Sequence, residues 1–379
     1  MHIFWIPDKK PSNTKVPPLP PELISTILDH TPRSDLTQLA QVSKSWYAEA
    51  MPRLYRHLYV STPHHWDCLV RTMANPDFTM GQYVQSLVLR PSPKLAPSSR
   101  FSKVWKQHGA PPGYVRVEAI DFNRTGLEHI DDNYPELDTT QKEAEWLGSS
   151  VSPKDIAVVL GRCASSIAYI DVGGCERLGD QVLEYCSKNG PPSSSSSSSS
   201  ITQLKGLWVP LVRGITPAGL SHLATKVNPH LRHVDLSFSL KITDDALINA
   251  VECWPNLTHL RLNSLYHITD ASIVAIAQSC PNLQLLYLVR CWHVTNDALA
   301  VIAQKCPELV YVSVAFLNRT TEEGVGQLIK QLPKLRWIDI TGCGINSLFK
   351  PMFIGSWTKA RQERGWDTIE FNDSTVALL

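Results

Sequence analysis

Five hexads of the form L-x-x-L-x-L, with Ile or Val standing for Leu, begin at Leu231, Leu257, Leu283, Leu309 and Leu335, 26 residues apart each time. Four equal intervals in a row are not a chance event. Self-similarity at a fixed period of this length marks a stacked-repeat architecture. Looser matches begin earlier, at Ile167 and Leu204. The remainder of each unit repeats too. Position 9 holds Cys175, Cys291 and Cys343, with Ser239, Leu265 and Leu317 in other units. Position 12 is Leu178, Ile215, Ile242, Ile268 and Val294, and position 13 is Thr216, Thr243, Thr269, Thr295 and Thr321. A helical run follows, apolar on one face as in Asp297–Ala303, and a proline closes the unit at Pro255, Pro281, Pro307 and Pro333.

Each piece has a physical role. Positions 4 and 6 lie on one face of a strand, so both point into the core. A small residue at position 9 packs inside and bonds to the loop backbone. The Thr is a helix N-cap, accepting from amides that the first turn leaves free, and Thr320-Thr321-Glu322-Glu323 reads as a capping box. The proline stops the helix and leads into the next strand. One unit cannot bury its own Leu ladder, whereas a stack of units can, and each fully buried Leu or Ile contributes about 1.5–3 kcal/mol. The expected fold is an α/β solenoid, a horseshoe with parallel strands on the concave side and helices on the convex side. The string LQLLYLVRCWHVTNDALAVIAQKCPEL resembles the cysteine-containing subclass of leucine-rich repeats, strongly over 204–345 and more weakly upstream.

Two irregularities interrupt the pattern. Ile167 to Leu204 is 37 residues, and the excess holds Gly190-Pro191-Pro192 and Ser193–Ser200. Such a tract has no apolar surface to bury and is expected to form a disordered loop over 189–200. Upstream, Val84-x-x-Leu87-x-Leu89 and Val117-x-x-Ile120-x-Phe122 read as early strands, separated by a Pro-, Ser- and Lys-rich, mobile stretch from Arg90 to Gly113. Trp366-x-x-Ile369-x-Phe371 reads as a closing strand. The repeat domain is therefore expected over 83–371, irregular over 83–166, with a tail at 372–379.

The N-terminal part is organised differently. Residues 1–18 are proline-rich and read as a flexible lead-in. In the next stretch Pro20 and Pro21 can start a helix, with Leu23, Ile24, Ile27 and Leu28 at helical spacing. Pro32 breaks the run. Ser34 or Asp35 can cap a second helix carrying Leu36 and Leu39, and Ser43 a third carrying Trp46, Tyr47, Ala50 and Leu54. Three short helices over 19–58 barely make a core alone, so surplus apolar positions imply a partner surface. A helical linker over 59–82 is expected to follow.

The motif L-P-x-E-L-I-x-x-I-L at Leu19–Leu28, with D-L-x-x-L-x-x-V-S-K-x-W at Asp35–Trp46, resembles an F-box, and the chain as a whole resembles an F-box/leucine-rich-repeat protein of fungal type. The resemblance implies that this module docks a Skp-type adaptor and, through it, a cullin ubiquitin ligase. The adaptor-binding residues it implies are Leu19, Pro20, Leu23, Ile24, Ile27, Leu28, Leu36, Leu39, Val42 and Trp46.

Positions 3 and 5 of each unit alternate away from the core and line the concave ribbon. Trp208, His233, His259, Arg261, Tyr287, Tyr311 and Trp337 stand there, with Arg290 and Phe316 near the strand ends. Trp, Tyr and Arg are enriched at interface hot spots, so this band is the expected target-binding surface. The same aromatics can instead pack on neighbouring strands.

No catalytic motif is found, nor a cofactor or metal site. Cys175, Cys291 and Cys343 stand in separate units and read as buried packing residues, as do Cys280 and Cys306. His64-His65 and His230-x-x-His233 lack further ligands. The nine cysteines form no C-x-x-C pair. Lys plus Arg number 36 against 35 Asp plus Glu, a net charge of +1, which gives no global field to draw nucleic acid or an anionic membrane. No apolar run approaches the roughly 20 residues that span a bilayer, and Met1–Pro7 has no basic region of a signal peptide. The expectation is a non-catalytic target receptor of a ubiquitin ligase, in cytoplasm or nucleus. A non-ligase interaction scaffold is the alternative.

Overall fold

The computed structural model describes residues 19–60, 62–89, 147–187, 201, 203–224, 228–346 and 348–372. Three helices come first: α1 (Pro21–Asp29), α2 (Arg33–Leu39) and α3 (Lys44–Arg56). The strands are β1 (His57–Val60), β2 (Ser86–Leu89), β3 (Tyr169–Asp171), β4 (Gly206–Trp208), β5 (His233–Asp235), β6 (His259–Arg261), β7 (Leu285–Tyr287), β8 (Tyr311–Ser313), β9 (Trp337–Asp339) and β10 (Glu370–Asn372). Between them run α4 (Pro63–Ala74), α5 (Leu147–Ser150), α6 (Pro153–Cys163), α7 (Asp180–Cys186), α8 (Pro217–Leu223), α9 (Asp244–Val251), α10 (Asp270–Ser279), α11 (Asn296–Lys305), α12 (Glu322–Gln331) and α13 (Lys350–Glu363).

The strands pair in chain order, each parallel to the next, in one open sheet. The register keeps repeat positions opposite one another, so that Leu207, Val234, Leu260, Leu286, Val312 and Ile338 form one ladder. These side chains are essentially solvent-free, as are Val209, Leu236, Leu262, Leu288, Val314 and Ile340 two residues on. The helices close the other side of that core. The sequence therefore folds as the expected solenoid, and the stacked ladder is its main source of stability.

The ends of the sheet differ from the expectation. The stretch expected to open a helical linker is β1, which pairs with β2 through Leu58 and Leu87. A first rung thus runs Tyr55-x-x-Leu58-x-Val60, and only α4 within 59–82 is a regular α-helix. At the far end Phe371 pairs with Ile338. Phe371 therefore occupies position 4 rather than position 6, and the closing rung is two residues out of the expected register. Val117–Phe122, Arg90–Gly113, Ser193–Ser200 and residues 1–18 lie outside the described residues, as does all of 372–379 beyond Asn372.

The last unit is locked by a single side chain. Arg361 in α13 is buried and donates to the carbonyls of Ile329, Leu332, Pro333, Leu335 and Asp367 at 2.8–3.2 Å. All five guanidinium donors are used, and one of their acceptors, the Ile329 carbonyl, lies in the last turn of α12, where the helix leaves carbonyls without partners.

Candidate functional site

The apolar arc of α1 is wider than one interface needs, and the structure divides it. Ile24 and Leu28 are 1% and 2% exposed and pack with Leu36, Ala40, Ala50 and Met51. Leu23 and Ile27, one position back along each turn, are 51% and 43% exposed. Leu19 at 45%, Val42 at 61% and Pro20 are exposed as well, and Leu39 and Trp46 are half-buried. Ile24, Leu28 and Leu36 are therefore core residues, which corrects their place in the expected docking set. A helix repeat of about 3.6 residues groups both stripes on one side and does not say which faces inward.

Local chemistry holds this face in shape. Ser43 caps α3, its hydroxyl accepting from the Trp46 amide at 3.4 Å. The second helix starts at Arg33 with Pro32 at its N-cap, so the cap position falls before the expected Ser34 or Asp35. Arg53 of α3 reaches back to α1. It donates to Asp29 Oδ1 at 2.9 Å and to Ser25 Oγ at 2.6 Å. The third helix then passes into β1 without a loop. Arg56 donates to Gln85 Oε1 at 2.8 Å, and Tyr55 meets the Phe78 ring edge-on at 5.1 Å. The module is thus built onto the first rungs of the solenoid.

On the concave ribbon the aromatic residues stack on one another. Tyr169, Trp208, His233 and His259 follow in sequence with ring centroids 6.3, 5.7 and 4.5 Å apart. Arg261 lies 5.1 Å over the Tyr287 ring, and Tyr287 is 6.1 Å from Trp337. Leu285, Tyr287 and Trp337 form a small buried cluster against Val289 and Tyr311. Arg261, Tyr287 and Trp337 are 6%, 6% and 8% exposed. They support the ribbon and offer little to a partner, a correction to the expected target set. Trp208, His233, His259 and Tyr311 are half-buried. Buried Asp171, Asp235 and Asp339 each accept from the amide two residues on, at 2.9–3.1 Å. Burial, then His233 and Arg261, hold the His259 imidazole well below its usual pKa of 6.5.

Arg290 and Phe316 belong elsewhere. They occupy repeat position 8, where Leu211, Phe238, Ser264, Arg290 and Phe316 all have φ of 57–64°. Gly174 and Gly342 stand at the same position with φ of 77° and 63°. Side chains there cost about 1–3 kcal/mol each. The next rung imposes the turn: the position 8 amide donates to the position 7 carbonyl of the following unit, as in Phe238 to Asn263 at 2.8 Å and Phe316 to Thr341 at 2.7 Å. The consequence is that Arg290 and exposed Phe316 sit on the rim of the sheet, where the Arg290 guanidinium covers the Phe316 ring at 5.1 Å. No sequence signal marked these as left-handed, because only two of the seven are glycine.

The thiols have the environment of packing residues. Cys291 and Cys343 donate to the carbonyls of Leu262 and Val314 at 3.1 and 2.9 Å. Burial pushes Cys163, Cys186, Cys280, Cys291 and Cys306 up to about 12 and Cys343 to about 11. Burial also raises Cys175. A thiol in that range is not a nucleophile near neutral pH. His64, His65 and His230 are exposed. Among the described residues no group of three or more His, Cys, Asp or Glu is arranged to hold a metal ion, and no helix is long and apolar enough to cross a membrane.

Residues 17–61 match the F-box-like family. No curated protein matches the sequence. Among solved structures, the chain is similar to one described as the complex of Rad7 and Elc1 in yeast, at 13% identity over 86% of this chain and 90% of that chain, with a TM-score of 0.43. It is also similar to internalin C2 from Listeria monocytogenes, at 17% identity over 52% and 78% of the two chains, with a TM-score of 0.33.

Proposed function

We propose that this chain, an F-box-like domain followed by a leucine-rich-repeat solenoid, is a target-receptor subunit of a Skp–cullin–F-box ubiquitin ligase. The exposed face of Leu19, Leu23, Ile27 and Val42 on a module matched to the F-box-like family carries the reading. Four large apolar side chains gathered on one small module are an interaction surface, not a solvated one. A Skp-type adaptor covers that face, and the adaptor joins the chain to the cullin. The solenoid holds a target protein. The chemistry is proximity: a bound lysine meets the charged conjugating enzyme at high effective concentration. This chain contributes no reacting group, and its work lies in the cytoplasm or nucleus.

The direct union of α3 and β1 determines how to test this. Deleting 19–58 would remove the first residues of β1 as well, so point substitution is the cleaner disruption. Proteins captured from cells with the Leu23→Asp/Val42→Asp variant are added to purified adaptor, cullin and conjugating enzyme. The wild-type chain is expected to support ubiquitin transfer to at least one of them, and the variant is not. Capture without transfer by the wild-type chain would favour a non-ligase scaffold.

A further inference from the structure

The rim beyond the C-terminal ends of the strands is open where the concave ribbon is packed. At repeat position 10, Leu240 and Trp292 are 46% and 44% exposed. Tyr266 stacks on Trp292 with centroids 4.5 Å apart and planes 17° from parallel. In the next unit Asn318 takes position 10, and Phe316, two residues before it, is 38% exposed. Position 11, the next residue, is basic in four successive units: Lys241, His267, His293 and Arg319, all exposed. Short parallel bridges hold three of them in line, Thr243 with His267, Thr269 with His293 and Thr295 with Arg319. Among the described residues none of these four side chains has an ion-pair partner.

Two stripes thus run side by side, one apolar and one basic, with its fixed charges at Lys241 and Arg319. Neighbouring strands lie about 4.8 Å apart, so four rungs span roughly 15 Å, the length of about four or five extended residues. A polyphosphate chain fits poorly, because exposed carboxylates at Asp245, Asp297 and Glu323 stand four residues beyond Lys241, His293 and Arg319 at the helix starts. A peptide can set single carboxylates against Lys241 and Arg319 and keep uncharged residues beside those acids, which a uniformly charged chain cannot. We propose that this rim docks an extended, carboxylate-rich peptide segment of a partner protein. Its apolar side chains lie on Leu240, Tyr266 and Trp292, and its carboxylates meet Lys241 and Arg319, with the imidazoles of His267 and His293 between them as hydrogen-bond donors. The inference rests on the target-holding half of the proposed function and does not use the adaptor.

Panning a library of random dodecapeptides on the full-length protein tests it. Sequences in which Asp or Glu alternate with Phe, Trp or Leu should be enriched. Those peptides should bind the Lys241→Glu/Arg319→Glu protein, and separately the Trp292→Ala protein, roughly tenfold or more weakly, and should weaken with added salt. All three sites are exposed, so an unchanged thermal midpoint is expected to accompany the loss. Failure to enrich any peptide, enrichment of non-acidic peptides, or equal binding to the charge-reversed protein would overturn the proposal. Displacement of the peptides by a single-stranded oligonucleotide would overturn it too, reassigning the rim to nucleic acid. Adaptor capture is measured on the wild-type chain in parallel. Its absence while the peptides still bind would count against the ligase reading alone.

Discussion

A histidine stacked inside a ribbon of rings has little room for a proton. His259 has His233 at 4.5 Å and Arg261 on its own strand, and its Nδ1 lies 2.8 Å from the Thr258 hydroxyl. Burial first, then His233 and Arg261, favour the neutral ring and lower its pKa well below 6.5. The unfolded chain takes up a proton near 6.5 that the folded chain refuses. The stability this group contributes is therefore present above that value and is lost as pH falls towards the lower folded pKa. Thermal midpoints at about pH 7.5 and about pH 5.5 should differ more for the wild type than for His259→Gln. An equal fall in both would place the acid sensitivity elsewhere. At this scale the sequence showed residue types and not their surroundings. It placed Ile24 and Leu23 in one docking set, although one is core and the other surface. It placed Arg261 and Trp337 on an open face, although both are buried.

At the scale of the element, the repeats are tied together by more than their Leu ladders. In four units the first residue of the helix bonds to the Thr that precedes the helix of the next unit. Asp270 takes the Thr295 amide at 2.7 Å on one oxygen and the Thr295 hydroxyl at 2.6 Å on the other. Asp180 with Thr216 and Asp244 with Thr269 do the same. Burial alone would raise the Asp244 carboxyl, but hydrogen bonds from Ser272 and Thr269 outweigh it and hold it below its usual value. In the last pair Asn296 replaces the acid, accepting from the Thr321 amide and donating to its hydroxyl, both at 2.9 Å. Asp270→Ala removes two charge-assisted bonds and should lower the unfolding free energy by about 2–3 kcal/mol, while Asp270→Asn should cost less than about 1 kcal/mol. Denaturant titration compares the two, and equal costs would contradict the staple. An Asp in that place reads from sequence as an ordinary first-turn acid, so the staple was not legible. The caps were more so: Thr216, Thr269, Thr295 and Thr321 accept from amides of their helices. The expected capping box of Thr320 with Glu323 does not form: Thr321 is the cap, Gly324 stands three residues after it, and the Thr320 hydroxyl donates inward to the Leu317 carbonyl. The first rung escaped notice because Tyr55 fills the position that Leu holds elsewhere.

At the scale of the molecule, an F-box-like module and a repeat stack share one continuous framework. The 26-residue interval was enough to foresee the parallel sheet, the buried positions and the helices behind them. Periodicity reports what points inward. It says less about which outward positions are open, and here the rim is more open than the concave face. The passage from α3 into β1 fixes the outer face of the F-box-like module relative to the solenoid. A receptor that works by proximity needs such a fixed span between adaptor and target.

That account depends most on the exposed face of the N-terminal module. Purified Skp-type adaptor is titrated into the full-length protein and into two double variants, Leu23→Asp/Val42→Asp and Lys241→Glu/Arg319→Glu, each with an unchanged thermal midpoint. The adaptor should bind the wild type and the rim variant alike and bind the first variant at least about 30-fold more weakly, the loss expected of one hot-spot residue. Equal affinity for all three proteins would contradict the assignment of that face.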